Sequence, residues 1–240
     1  MEGLMGYRHS NTRQKSMKIN LLPNYLKMKK ILFILGLALC YFTCFSQLQG
    51  TIKDSRDGKI YKTVKMGTET WLAENLAYIP NEKDGYDQNG LYSSRPIKGN
   101  YWVYDNQKEN EQYGFLYDWG YAINVCPTGW HLPTDADWTS LTDSFGGAKV
   151  AGEKLKSKLG WKKLNGVEPI TKRSSFNALP GGCRMCKGSF CGLSEFAYFW
   201  SSTPNSEESR CFVMRWAYRC VLNENKGNKK FGYSVRCVMD

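Results

Sequence analysis

Seven cysteines lie between Cys126 and Cys237, and none stands between Gln47 and Val125. What such a set does depends on the compartment: oxidised it staples a fold together, reduced it binds metal or reacts. The residues ahead of it bear on that choice. Met28-Lys29-Lys30 is a short positive stretch, Ile31 to Phe45 is almost wholly apolar, and Thr43-Cys44-Phe45-Ser46 offers small residues for cleavage before Gln47. An apolar run of about 15 residues is short for a bilayer span. The reading is a leader over residues 1–46, with translation starting at Met28 and the mature chain starting near Gln47. No transmembrane segment is expected in that mature chain. The protein is then exported, to the cell surface, the extracellular space or the periplasm, and its cysteines are expected in disulfides. Seven is odd, so at least one thiol is left over, free or bonded to another chain, and counting fixes no connectivity.

The net charge of +11 narrows once the leader is set aside. Residues 1–46 hold 7 of the 33 basic and one of the 22 acidic residues, leaving 26 against 21 in the remainder. That small excess is not the clustered basic face that nucleic-acid binding requires. The 8 Trp and 15 Tyr stand among 23 Gly, which suits short strands joined by long loops better than a helical bundle.

Periodicity places a few elements along one domain, residues 47–240. Ile60, Val64 and Met66 alternate with polar positions, Gly67-Thr68 turns the chain, and Glu69 to Leu72 continues as the second strand of a hairpin. Ala77 to Gly114 has no helical period. Thr134 is an N-cap with Asp137 in the capping-box position, and Trp138, Leu141 and Phe145 share one face of a helix ending at Gly146-Gly147. A second helix is expected over Val150 to Leu159, with Ala151, Leu155 and Leu159 inward and Lys149, Lys154, Lys156 and Lys158 on a solvated face. Strands are expected over Phe196–Ser202, Arg210–Trp216 and Phe231–Val238, with a polar loop from Asn223 to Lys230. The sum is an α+β domain.

Six stretches in order, VKMGTETWLAENLAY (64–78), YGFLYDWGYA (113–122), CPTGWHLPTDADWTSL (126–141), FNALPGG (176–182), YFWSST (198–203) and GYSVRCV (232–238), resemble the Fibrobacter succinogenes major paralogous domain. That family is similar in turn to the formylglycine-generating (sulfatase-modifying) superfamily and to the C-type lectin fold. The resemblance implies a C-type-lectin-like core: two helices, a small antiparallel sheet and long loops, disulfide-stabilised. Cys126 and Cys237 fall inside two of the shared motifs, so the resemblance implies that they pair. Cys183, Cys186, Cys191, Cys211 and Cys220 lie where members often have other residues; loop disulfides among them are expected, with one cysteine left over.

The implied role is a non-catalytic surface or secreted binding or adhesion module for a glycan or protein. The alternatives are an assembly subunit of a surface complex and an oxidase of the formylglycine-generating type, whose copper-binding thiol pair Cys211 and Cys220 would have to imitate. No cofactor and no metal are expected. His131 is the sole histidine after the leader, and a histidine-based zinc site needs more. Glu168-Pro169-Ile170 lacks the amide of a calcium-lectin signature. The candidate ligand-binding residues are therefore aromatic: Tyr86, Tyr92, Trp102 and Tyr104, set among Asn, Asp and Gly in the long irregular segment.

Overall fold

Four consecutive Cα pairs, from Met66–Glu69 to Thr63–Leu72, flank the turn at Gly67-Thr68, and the chain builds outward from that hairpin. The structure is a computed structural model that describes residues 49–79, 101–163, 166–172, 175–203 and 209–240, without the side chains of 225 and 226. Strands β1 (Gln49–Lys53), β2 (Ile60–Met66) and β3 (Glu69–Leu72) run antiparallel, with Val64 opposite Trp71 and Gln49 opposite Val64. Strand β13 (Val238–Met239) pairs with β3 and with β6 (Trp130–His131), closing a five-stranded sheet in the order β1-β2-β3-β13-β6.

A second sheet has six strands. These are β4 (Tyr101–Trp102), β5 (Leu116–Tyr117), β9 (Phe196–Trp200), β10 (Ser209–Arg215), β11 (Val221–Gly227) and β12 (Tyr233–Ser234), in the order β11-β10-β9-β12-β5-β4. A two-stranded hairpin, β7 (Cys183–Arg184) with β8 (Phe190–Cys191), is the third. The helices are short: α1 (Trp119–Ala122), α2 (Asp135–Ser144) and α3 (Ala148–Leu155), with 3-10 turns at Tyr104–Asn106 and Lys108–Tyr113.

The C-type-lectin-like α+β expectation is thus corrected. Among the described residues the fold is sheet-rich, with thirteen strands in three sheets, rather than two helices on one small sheet. Five strands missing from the expectation, β4 to β8, have two residues each, too few to show a period of two. They exist because distant segments pair with them.

The central strands of both large sheets are buried on both faces, most completely in β9 and β10. Side chains alternate across a strand, and here alternate residues enter different core clusters. Tyr61, Leu72, Trp200, Val213 and Cys237 go to one; Val64, Trp71, Phe199, Phe212 and Val238 go to the other. Helix α2 forms where its capping box predicts it, with Thr134 Oγ1 accepting from Asp137 N and the Asp137 carboxylate accepting from Thr134 N at 2.7 Å. Its Trp138 is fully buried against Trp71 and Phe212, with ring centroids 5.1 and 5.0 Å away.

Three local expectations need correction. Helix α3 stops at Leu155, not Leu159, because Lys156 turns extended at φ −60, ψ 145; Leu159 is 76% exposed. Lys156, expected on a solvated face, is fully buried: its Nζ donates to the carbonyls of Arg215, Tyr218, Trp216 and Ile170 and lies over the Trp161 ring. The expected loop from Asn223 to Lys230 instead begins inside β11, where Asn223 stands opposite Phe212 and Leu222 opposite Val213. Pairing with β10 satisfies that backbone despite its polar side chains.

Two disulfides form. Cys126–Cys237 joins residues 111 apart and ties the segment before β6 to the strand that pairs with it; Cys183–Cys191 closes the β7–β8 hairpin. Cys186, Cys211 and Cys220 are free, three thiols where one was expected to be left over. No helix among the described residues is long and apolar enough to cross a membrane.

Candidate functional site

The candidate residues separate on folding. Tyr86 and Tyr92 lie outside the described residues. Tyr104 is buried, 8% exposed, and its ring packs 5.2 Å from that of Phe190. Trp102, the other described candidate, reaches the surface as a half-buried ring, at the edge of the six-stranded sheet on β4.

What meets Trp102 there comes from far along the chain. The guanidinium of Arg184, on β7, lies 4.0 Å from the centroid of its ring. Hydrogen bonds between Arg184 and Gly232, at 2.9 and 2.8 Å, hold β7 beside the segment leading into β12. Gly232 is required at this point: a Cβ there would stand 2.9 Å from Trp102 Cε3 and 3.1 Å from Arg184 Cβ. The hairpin itself is fixed by its disulfide and by the turn Met185–Gly188, where Gly188 N donates to Met185 O.

A cation over a Trp face contributes about 0.5–2 kcal/mol, more as it is desolvated. Burial pulls the Arg184 pKa below the usual guanidinium range, with the nearby Cys186 opposing, and Arg184 makes no ion pair among the described residues. Its donors are therefore oriented by stacking and unspent on a carboxylate. Together with Phe190 and Met185, both half-buried, they form a rigid cationic-aromatic face. The sequence offered no signal for this pairing. Arg184 sits inside CRMC, a motif read for its sulfurs, and 82 positions separate it from Trp102.

The other sites considered resolve differently. His131, expected between Trp130 and Leu132 at a helix start, has Nδ1 2.7 Å from Asp240 Oδ1 and Nε2 3.3 Å from Asp137 Oδ2. Among the described residues no three His, Cys, Asp or Glu side chains are grouped to hold a metal ion. Cys211 stands opposite Glu224 across β10 and β11, not opposite Cys220. It is buried against Tyr233, and burial pushes its thiol up to about 12, with the Glu224 charge adding to the rise.

Fold and site together define a disulfide-bonded, sheet-rich domain that presents a cationic-aromatic surface beside a cross-linked hairpin. The chain belongs to the Fibrobacter succinogenes major domain family, whose model matches residues 64–239. No curated protein and no solved structure matches it.

Proposed function

We propose that the chain is an exported binding or adhesion module for glycan or protein ligands, and that the Trp102–Arg184 face is where a ligand docks. The observation that carries this is the stacked, partly desolvated guanidinium with no carboxylate partner among the described residues. A flat apolar ring beside oriented donors suits ligands that combine an apolar face with acceptor oxygens, as sugars and protein surfaces both do. The leader supports export, and the cross-linked hairpin supports a face that is ordered before binding, which lowers the entropic cost of association.

Trp102→Ala and Arg184→Gln are each expected to weaken the strongest interaction found on a glycan array or with intact cells by about tenfold or more, the equivalent of ~1.4 kcal/mol. Unchanged binding by both variants would remove this face from the proposal. The assembly-subunit reading is favoured by one observation, the exposed free thiol of Cys186 at the hairpin tip. A covalent dimer or heteromer on non-reducing gels that disappears in Cys186→Ser would support it.

A further inference from the structure

A second concave site lies away from that face, between the start of β2, the segment after β3, the 3-10 turn before β5 and the Asn177 loop. It is a cavity of about 200 Å³. Its floor includes Asn75 and Asn177, and neither is loose. Arg236 Nη2 donates to Asn75 Oδ1 at 2.6 Å and to Asn177 O at 3.3 Å, while Asn75 Nδ2 donates to Tyr113 O at 2.8 Å. One wall is Gly114, at φ 76, where a Cβ would sit 2.5 Å from Asn75 Cβ. Only glycine fits there.

The rim carries Lys59, Glu74 and Glu111, none of which forms an ion pair among the described residues. One oxygen of Glu74 is committed to Lys62 N at 2.8 Å. Two carboxylates face one ammonium, and the buried Arg236 behind the floor balances the remaining charge. The site thus offers strong acceptors and a strong donor without a net monopole. An ionic ligand gains little from such balance. A polyol gains most, because each hydroxyl donates to a carboxylate and accepts from an ammonium or amide. Ile60, 62% exposed, and Leu179 add apolar surface for the C–H face of a ring. The volume falls below the ~300–1,000 Å³ of pockets for drug-sized ligands, which suits one sugar ring and not an oligosaccharide.

We infer that this cavity binds a single uncharged sugar ring, the terminal residue of a glycan. The inference rests on the reading of the chain as a binding module but not on the Trp102 face, so the two fail separately. The test is an amide-resolved NMR titration of the mature protein with the methyl glycosides of glucose, galactose and mannose, and with glucosamine and glucuronate as charged probes. At least one neutral glycoside is expected to shift the amides of Asn75, Gly114 and Asn177 in the millimolar range. Its affinity should fall by about tenfold in Glu111→Gln, and in Lys59→Met as a second variant, since each removes a charge-assisted hydrogen bond. It should be unchanged in Trp102→Ala. No shift at these amides, shifts only with the charged probes, insensitivity to both rim variants, or loss of the response in Trp102→Ala would each overturn the inference.

Discussion

Arg236→Met is expected to destabilise the fold by roughly 4 kcal/mol, measured as a fall in the urea midpoint at unchanged slope. Arg236 is fully buried. Its Nη1 donates to Leu72 O and Phe176 O, at 3.1 and 2.5 Å, and its Nη2 to Asn75 Oδ1 and Asn177 O. Its guanidinium also lies 4.6 Å from the Phe176 ring centroid. Methionine keeps most of the volume, so the loss falls on four acceptors stranded at about 1–3 kcal/mol each, less whatever water or relaxation recovers. Burial pulls the Arg236 pKa down, to about 9, with the Glu74 charge opposing, so the group is still cationic at neutral pH. Arg236→Lys should fall between wild type and methionine, because one ammonium has three donors and no planar fork. A loss below about 1 kcal/mol for the methionine variant would mean that those carbonyls find other donors, and that the guanidinium is not the joint between the Asn177 loop and β3.

That joint marks the limit of what the sequence made legible. The hairpin of β2 and β3 and the start of α2 were readable because their causes are local: an alternation, a turn at Gly67 with φ 62, and a capping box from Thr134 to Asp137. Lys156 was misread because its four carbonyl partners come from the Ile170 segment and from Arg215–Tyr218, and nothing near it in sequence announces them. Trp102 was singled out as a candidate aromatic without its partner, because Arg184 reaches it only through the Gly232 bridge. Tyr104 failed as a surface candidate for the opposite reason: the hairpin that carries Phe190 folds over it. Arg236 stood in the quoted GYSVRCV motif, where its residue type gave no hint of complete burial.

Raising the pH beyond about 10 should draw stability from the fold through its buried phenols and one thiol, against an opposing gain from two buried bases. Cys211 is raised from its ordinary 9.0 to about 12, first by burial and then by the Glu224 charge; the Tyr233 hydroxyl donating to its sulfur works the other way. Tyr61 and Tyr233 are raised still further, each chiefly by burial. These are acids with folded pKa values above the unfolded ones. Their contribution is intact below pH 9–10 and is lost as the pH climbs toward the folded values, because the unfolded chain gives up its protons first. Lys156 has the opposite sign. Burial lowers it from 10.5 to about 8, so the fold gains stability as pH rises from 8 to 10.5. Arg236, lowered by burial to about 9, has the same sign, so the two bases offset most of what the thiol and phenols lose by pH 11. Urea midpoints taken at pH 8 and pH 11 in a Cys186→Ser background, which removes the exposed thiolate from exchange, report the net of these opposing shifts. In Tyr233→Phe the pH 11 midpoint should stand higher, relative to the pH 8 one, than in the parent, because one buried phenol no longer ionises. If its pH profile instead matched the parent's, ionisation at Tyr233 would have no part in the alkaline transition.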